Sequence, residues 1–504
     1  MNEFQVTNLA AETGALLPYL VVACGGLLVM LFDAFVRTLK KDHLSYLTIL
    51  VLSVAVLLQF IGEKSDGPLL SGMLLASDFT RFFNFVFAAI GVVTTIFATG
   101  IFDRDGRYRP EFYPLLLFTI LGMMVLAAAN DLMAVFLGLE TMSLATYIMV
   151  GGVRGDVRSS EAGFKYLILG GFSSAFLLMG MALIYGFAGG TGFADIARAM
   201  TAGQPDHLLV GLGTGLMLVG FGFKVALVPF HMWTPDVYDG APSYVTGFMA
   251  TGIKAAGFAI LIRFAILMQP QLGFAWYPVL AALAVLTMSM GNLVALAQSN
   301  IKRMLAWSSV AHAGYLMLGI LALLSPTQGG SQAMMSSQAI GESAGSAMLF
   351  YLIGYSLMNL AAFGIINILG RGQGDEATDI SRFAGLSRTQ PVAAATLAVA
   401  LLSLAGIPPM VGFMAKFYLF SAVVEAGLIP LAIIGVINSL ISVYYYLRLL
   451  VVMYMKEPAE DSYAGREMVS VMMSSVLALI IIVLGVVPDA FHRMALIIFR
   501  QIRF

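Results

Sequence analysis

Runs of about twenty predominantly apolar residues recur along this chain, and a run of that length can cross a lipid bilayer as one helix. Charged residues make up 11% of the 504 residues, whereas soluble proteins carry about 25%. The connections between the runs are too short for a soluble domain. The sequence therefore predicts an all-α polytopic membrane protein with about 14 transmembrane helices, near residues 15–36, 43–62, 78–101, 112–129, 131–152, 163–188, 207–230, 243–268, 274–298, 304–324, 344–369, 391–420, 428–455 and 467–488.

The composition excludes several classes of partner and cofactor. A net charge of −1 argues against binding to nucleic acid. Cys24 is the single cysteine, so cysteines cannot ligate haem or an iron–sulfur cluster, and no intrachain disulfide can form. No glycine-rich nucleotide fingerprint accompanies a strand–helix unit. We therefore expect no redox centre and no cofactor-binding or metal-binding residue in this chain.

Basic residues in the predicted loops set the expected orientation, because loops rich in lysine and arginine stay in the cytoplasm. With an even number of spans, both termini are expected outside. The basic tail HRMALIIFRQIRF is expected to form a short amphipathic helix on the membrane surface. The first apolar run follows no basic segment, so we expect it to be retained rather than cleaved. The expected cytoplasmic loops hold Arg37, Lys40, Lys41, Arg104, Arg107, Arg109, Arg154, Arg158, Lys302, Arg303, Arg371, Arg382, Arg388, Arg448, Lys456 and Arg466; the other side holds Lys64, Arg198, Arg263, Arg493, Arg500 and Arg503.

Four charged residues and one histidine interrupt the apolar runs. A charge at the centre of a bilayer costs at least a few kcal/mol, so such residues usually face a polar interior. Three lysines accompany one clear carboxylate, so ion pairing cannot neutralise all of them, and burial disfavours an unpaired charge. Chains of such groups mark proton relays, although static ion pairs that hold the helices together remain an alternative. The residues are Glu140, Lys224, Lys254, His312 and Lys416, on spans five, seven, eight, ten and twelve.

Prolines interrupt two of these spans beside a lysine. Pro229 follows Lys224 in span seven, and we expect the helix to unwind just after that lysine, because proline has no N–H to donate. In span twelve, Pro408 and Pro409 precede Lys416 by a few residues. They are expected to free the carbonyls of the two residues four positions earlier, Leu404 and Ala405. Unpaired backbone at membrane depth needs protein or water to satisfy it.

The two interrupted spans lie five spans apart and therefore run in opposite directions. Broken helices in corresponding positions of two halves are a pointer to an ion path in a transporter. We therefore predict an inverted repeat of five helices, spans 4–8 and 9–13. The corresponding units are the N-terminal helices 1–110, a first repeat 111–270, a second repeat 271–456, and a last helix with its tail, 457–504.

Four segments together closely resemble the N-type subunits of bacterial respiratory NADH:quinone oxidoreductase, complex I. They read VPFHMWTPDVYDGAP, TGIKAAGFAIL, SNIKRMLAWSSVAHAGYLMLG and LLSLAGIPPMVGFMAKFYLF, and the resemblance runs from about span four to span thirteen. The L- and M-type subunits and the Mrp-type antiporters tend to carry an HxWLPDA form, so HMWTPDVY favours the N type. Lys416 argues against the M type, which has a glutamate in the broken twelfth helix.

The resemblance implies a role for each polar group. His231 would lie at the cytoplasmic uptake side, with capping or loop packing as an equal alternative. The resemblance matches Glu140 to the family's glutamate of helix five, Lys224 to the lysine of broken helix seven, Lys254 to the connecting lysine of helix eight, Lys416 to the terminal lysine of broken helix twelve, and His312 to the same hydrated axis.

The resemblance also implies a proton-translocating subunit of a larger enzyme in a bacterial inner membrane, with both termini in the periplasm. NADH, FMN, iron–sulfur clusters and quinone would be handled by partner subunits. The expected partners are M-like and K-like subunits, a lateral helix of an L-like subunit, and phospholipids. Two alternatives stay open: an Mrp-type Na+(K+)/H+ antiporter subunit, and a non-pumping scaffold.

Overall fold

The computed structural model describes residues 9–35, 43–61, 66–105, 109–202, 207–269, 276–325, 331–372, 375–376, 378–458 and 468–501. Seven of the basic residues used to predict the orientation lie outside these ranges, namely Arg37, Lys40, Lys41, Lys64, Arg107, Arg466 and Arg503.

The described chain is almost entirely helical, as predicted. A short 3-10 turn, Ile380–Phe383, and a π-helical turn, Met249–Ile253, interrupt the α-helices. The α-helices are α1 Leu9–Phe35, α2 His43–Ile61, α3 Asp78–Asp105, α4 Phe112–Ala128, α5 Leu132–Val150, α6 Val157–Ala188, α7 Phe193–Ala202, α8 His207–Val225, α9 Trp233–Gly240, α10 Ser243–Phe248, α11 Lys254–Leu267, α12 Tyr277–Leu296, α13 Ile301–Leu323, α14 Ser331–Ile368, α15 Leu386–Thr389, α16 Pro391–Ala405, α17 Val411–Glu425, α18 Ile429–Met455, α19 Met468–Val486 and α20 Asp489–Arg500.

Within the described ranges, 12 helices are long and apolar enough to cross a membrane. Two further predicted spans correspond to shorter apolar helices, α4 and α16, and α16 is followed by a break and by α17. Each of the fourteen predicted runs therefore contains an apolar helix, which confirms the all-α membrane fold. The exact number of crossings stays a prediction.

The connections meet in two groups, as alternating spans require. The hairpin of β1, Gly67–Leu69, and β2, Leu74–Ala76, bridges Ala129 between α4 and α5. Asp131 in turn bridges Gly192 after α6. A separate bridge joins Asn300, before α13, to Asp379, after α14. The sequence did not reveal these hairpins, nor the pair β3, Gly370–Gly372, and β4, Asp375–Glu376.

Glycines allow two pairs of consecutive helices to cross closely. A Cβ atom at Gly122 of α4 or at Gly138 of α5 would approach the backbone of the other helix within 3.0 Å. Gly291 of α12 faces the backbone of α13, and Gly314 of α13 faces the backbone of α12, equally closely. Neither crossing has room for a side chain in place of these glycines.

The C-terminal tail forms an amphipathic helix, as predicted, but its apolar side packs on the protein. In α20, Ala495, Ile498 and Phe499 are buried, and the helix contacts α3 and α14. His492 stacks on Tyr418 of α17, with ring centroids 4.0 Å apart. The predicted placement on a membrane surface therefore applies only to the remaining face of the helix.

Two basic residues assigned to loops are instead buried in helices. Arg263 of α11 is 1% exposed and donates to the carbonyl of Ala127 at 3.2 Å and to Asn130 Oδ1 at 3.1 Å. Lys302 of α13 is 1% exposed, and its Nζ donates to the carbonyl of Ala241 at 2.5 Å. The hydrophobic pattern did not reveal the burial of either residue. Arg263 lies near the end of the predicted span 243–268, and Lys302 lies just before the predicted span 304–324.

Candidate functional site

The first broken helix ends where the sequence predicted. α8 stops at Val225, one residue after Lys224 and before Pro229. At the broken end, the carbonyl of Phe223 accepts hydrogen bonds from the N–H of Ala226 at 3.2 Å and from the Trp233 indole at 2.9 Å. A side chain of the following helix thus adds to the hydrogen bonding of the carbonyls at the end of α8.

The polar segment after this break forms a short helix. α9, Trp233–Gly240, packs against α6 and α13. Asp236 accepts from Lys165 Nζ at 3.0 Å and from Arg303 at 2.9 Å. Burial alone would raise the pKa of Asp236, but these two cationic donors outweigh it and hold the pKa below its ordinary value.

Lys224 is held by aromatic residues rather than by a carboxylate. It is 3% exposed, and its Nζ donates to the Tyr147 hydroxyl at 3.3 Å. The ring centroids of Tyr147, Tyr166 and Phe223 lie 5.2, 5.4 and 5.5 Å from the Nζ atom. Aromatic faces at these distances attract a cation, so the pocket can hold the ammonium without a counter-ion.

Glu140 lies near Lys224 without pairing with it. The carboxylate is half-buried on α5 and accepts a hydrogen bond from Ser174 of α6. It acts on Lys224 electrostatically, although no ion pair joins the two side chains in the described structure. A small displacement of α5 relative to α8 would therefore change the field at Lys224 without breaking a salt bridge.

Lys254 lies at the end of the π-helical turn, in the predicted span that follows the one with Lys224. It is 3% exposed and donates to the carbonyl and hydroxyl of Ser309, both at 2.5 Å. Gly257, one turn later, has its Cβ position 3.8 Å from Lys224 Cβ. The two lysine-bearing helices are thus in contact, and π turns occur frequently at functional sites.

His312 connects three helices through its two ring nitrogens. Its Nδ1 lies 2.7 Å from the Tyr351 hydroxyl of α14, and its Nε2 lies 3.5 Å from the Tyr446 hydroxyl of α18. The Tyr446 hydroxyl is also bonded to Ser308, the neighbour of the serine that binds Lys254. Lys254 and His312 therefore meet at adjacent serines of α13.

In the second broken helix, Lys416 donates to the carbonyls that the break leaves free. α16 ends at Ala405 and α17 begins at Val411. Lys416 Nζ donates to the carbonyls of Leu404 at 3.0 Å and Ala405 at 3.1 Å, the two that the prolines were predicted to free. It also donates to the Ser439 hydroxyl at 2.9 Å. The broken helix thus supplies the polar cage for its lysine.

A cavity of about 870 Å³ opens beside Lys416 between α17 and α18. Its walls are mostly apolar, with Lys416 and Ser439 at one part and Ser421 and Glu425 further along α17. Glu425 also accepts a hydrogen bond from Ser343 of α14 at 2.9 Å. Lys416 is therefore the one lysine of the three that lines this cavity.

His231 stands apart from these groups. It is 1% exposed, and neither ring nitrogen has a hydrogen-bond partner among the described residues. Its ring packs against Trp307, with centroids 5.1 Å apart. Burial lowers the pKa of His231 below its ordinary value, so the ring is neutral near pH 7. These contacts favour the loop-packing alternative over a place in the path.

Sequence reasoning found the charged groups but missed the neutral residues that hold them. These partners are tyrosines and serines on helices distant in sequence, and such residues are common in apolar runs. Only Ser439 and Tyr446 share a helix, α18, where their three- and four-residue spacing with Ser442 is a signal that could have identified them. The missed partners are Tyr147, Ser174, Ser309, Tyr351, Ser439 and Tyr446.

Residues 129–442 match the family described as NADH:quinone oxidoreductase/Mrp antiporter, TM. This range contains both broken helices and all six predicted site residues. The chain therefore belongs to this family of membrane proteins.

Individual relatives within the family show which types of subunit this chain resembles. The chain is 42% identical to NADH-quinone oxidoreductase subunit N of Trichlorobacter lovleyi, over 91% of this chain and 90% of that protein. A chain of respiratory complex I from Thermus thermophilus, solved with bound aureothin, superposes with a TM-score of 0.78 and is 30% identical, covering 94% of this chain and 98% of that one. A chain of the Mrp complex from Dietzia sp. has a TM-score of 0.80 at 21% identity, covering 96% of each chain, and so shares the fold.

Proposed function

We propose that this chain is the proton-translocating N-type membrane subunit of an NADH:quinone oxidoreductase, and that its buried lysines carry the protons. Its relatives at about 40% identity bear that subunit's name. NADH, FMN, iron–sulfur clusters and quinone would be bound by partner subunits. No group of histidine, cysteine and acidic residues suited to a metal ion occurs in the described ranges.

One observation carries the proposal. Each of Lys224, Lys254 and Lys416 is buried, and its Nζ bonds to neutral oxygens without an ion pair in the part of the chain that is described. A static scaffold would instead neutralise each buried charge, because an unpaired buried ion is costly. Groups held in this way are poised to gain and lose a proton.

The contacts suggest an order for the transfer. Lys224 lies within the field of Glu140, and a movement driven by a neighbouring subunit would change that field. The proton would then pass to Lys254 across the contact between α8 and α11, and on to His312 through Ser309, Ser308 and their neighbours. Lys416 would exchange with the outside or with a neighbouring subunit through the cavity beside it.

The energy required to move a proton against the membrane potential is modest. Moving one charge against 100 mV costs about 2.3 kcal/mol. A hydrogen bond to a charged group contributes about 1.5–3 kcal/mol, so forming or losing one such contact is of the required size.

The test uses membranes that carry Lys224→Ala or Lys416→Ala, with Lys456→Ala as the control. Lys456 is an exposed residue at the end of α18, and its variant should behave as wild type. We expect both site variants to assemble, as judged on a native gel, and to lose at least tenfold in NADH-driven proton pumping. Normal pumping in both would refute the proposal, whereas loss of the complex itself would favour the scaffold alternative.

The division into units is also a proposal. We propose N-terminal helices 1–110, inverted repeats 111–270 and 271–456, and a last helix with its tail, 457–504. Each proposed repeat begins with two helices that cross closely on glycines, and each contains a helix broken beside a lysine. M-like and K-like subunits and a lateral helix of an L-like subunit are the proposed neighbours, together with phospholipids, in a bacterial inner membrane.

The antiporter alternative has weaker support. The likeness to the Mrp chain, at 21% identity, concerns the fold alone, and the segment HMWTPDVY departs from the HxWLPDA form. Purification of the complex distinguishes the two, since redox subunits would accompany this chain only in the first case.

A further inference from the structure

Adjacent serines of α13 link Lys254 to His312, but no described hydrogen bond joins His312 directly to Lys416. The ring of Tyr315 lies beside both groups, 5.6 Å from the centroid of the imidazole and 5.5 Å from Lys416 Nζ. Its hydroxyl is engaged by Asn292, which donates to it at 2.9 Å. The ring has no exchangeable proton, so it separates His312 from Lys416 without offering a direct path between them.

One helix supplies a polar partner to each of the two groups. From α18, Ser439 accepts from Lys416 Nζ at 2.9 Å, and the Tyr446 hydroxyl lies 3.5 Å from His312 Nε2. Ser442 lies between them in sequence, is 1% exposed, and donates to the carbonyl of Ser439 at 2.6 Å. Residues three and four positions apart lie on the same face of a helix, so the three hydroxyl-bearing residues form one line.

We propose that the hydroxyls of Ser439, Ser442 and Tyr446 form a bridge that carries a proton between His312 and Lys416. The proposal rests on the proposed function, because it concerns a later step of the same transfer. Each hydroxyl is both a donor and an acceptor. It forms an O–H bond to the arriving proton as its own O–H bond breaks on the far side, so no residue is chemically changed. The Ser442 O–H, which rests on the carbonyl of Ser439, first rotates toward the next hydroxyl.

Spacing along the helix makes the bridge feasible. Residues one turn apart have Cβ atoms about 5–6 Å apart, and a water bonded to two or more polar groups can close such a gap. The Tyr446 hydroxyl is bonded to Ser308 as well. The bridge therefore begins next to Ser309, where the contacts of Lys254 end.

The adjacent face of α18 is fixed, which holds the bridge in place. Tyr445 donates to Asn292 Oδ1 of α12 at 3.0 Å, and Asn292 donates to Asn438 at 3.4 Å. Asn438 also donates to Ser289 at 3.4 Å. These amide contacts join α12 to α18 without using any hydroxyl of the bridge.

The test compares Tyr446→Phe and Ser442→Ala with Tyr444→Phe in membranes containing the whole complex. Tyr444 lies on the same helix and is 63% exposed, so its variant should pump as wild type. We expect the two bridge variants to assemble normally and to pump protons at less than a fifth of the wild-type rate. Ser442→Thr keeps the hydroxyl and should restore most of the rate, which a purely structural defect at this position would not predict.

Lys416→Ala, measured beside them, separates this proposal from the proposed function. If Lys416→Ala abolishes pumping while Tyr446→Phe and Ser442→Ala pump normally, the bridge is wrong and the proposed function stands. If Lys416→Ala also pumps normally, the proposed function fails and the bridge fails with it. Should Ser442→Ala not assemble, Tyr446→Phe alone decides, because it keeps the ring.

Discussion

At the scale of single residues, the three buried lysines share one kind of environment. Each ammonium group is held by hydroxyls, carbonyls or aromatic faces rather than by a carboxylate. Hydroxyls and carbonyls stabilise the charged form of the lysine. When the lysine loses its proton, less electrostatic stabilisation is lost with these neutral partners than with a buried carboxylate. The identity of these neutral partners should therefore matter as much as the lysines themselves.

Tyr147→Phe tests this for Lys224. The substitution removes the hydroxyl that accepts from Lys224 at 3.3 Å and keeps the ring that packs on Tyr166. A hydrogen bond to a charged group contributes about 1.5–3 kcal/mol, so we expect proton pumping to fall about tenfold. Tyr166→Phe is the control, because the Tyr166 hydroxyl is buried without a hydrogen-bond partner in the described chain. Equal pumping by the two variants would contradict the assigned role of Tyr147.

Gly406→Ala tests the cage around Lys416. Gly406 has a φ of +87°, and a Cβ atom there would lie 3.1 Å from Lys416 Cδ and 3.3 Å from its Nζ. We expect the added methyl group to displace the lysine from its carbonyls and to lower pumping severalfold. Gly427→Ala is a matched control, with a φ of +77° and nothing within 4 Å of the Cβ position. Both variants carry the cost of placing a Cβ atom in the left-handed conformation, about 1–2 kcal/mol, so a difference between them in pumping isolates the effect on Lys416.

At the scale of elements, the sequence predicted the two breaks well and their surroundings poorly. A missing N–H is a local property, so Pro408 and Pro409 identified the free carbonyls of Leu404 and Ala405 in advance. The contact of the Trp233 indole with the carbonyl of Phe223 at the other break depends on how the chain folds back, which no local rule contains. The hydrophobic pattern does not predict α9 either, since its eight residues include Pro235 and lack an apolar run.

The anchoring of α9 leads to a prediction about pH. The lowered pKa of Asp236 means that its contacts with Lys165 and Arg303 stabilise this segment above the ordinary carboxylate range of about 4, and are lost only as the pH falls through the lowered value. Hydrogen exchange corrected for intrinsic rates should therefore show residues 233–241 protected from neutral pH down to about that range.

Asp236→Asn should mimic acid at neutral pH. We expect faster exchange in residues 233–241, by a factor of about two to five, since surface ion pairs contribute up to about 1 kcal/mol. Asp195→Asn, which removes an ion pair with Arg198 on α7, is the control and should leave the segment unchanged. Unaltered exchange in Asp236→Asn would show that packing alone holds α9.

At the scale of the whole molecule, the grouping of connections at two ends agrees with alternating spans. Which end faces the cytoplasm is predicted from the basic residues of the loops. The expected orientation can be measured. In a Cys24→Ser background, Arg198→Cys should react with a membrane-impermeant maleimide from the periplasm, and Arg388→Cys only after the cytoplasmic face is opened. The reverse pattern would invert the predicted topology.

The shortness of α16 has a consequence for how the chain is made. Its fifteen residues span only about 22 Å at 1.5 Å per residue, whereas the hydrocarbon layer is about 30 Å thick. During membrane insertion, α16 is therefore too short to enter the lipid alone. It is followed by the proline break and then by α17, which carries a lysine. We infer that α16 and α17 leave the translocon together with already inserted neighbours, so that biogenesis of this region depends on tertiary contacts formed during synthesis.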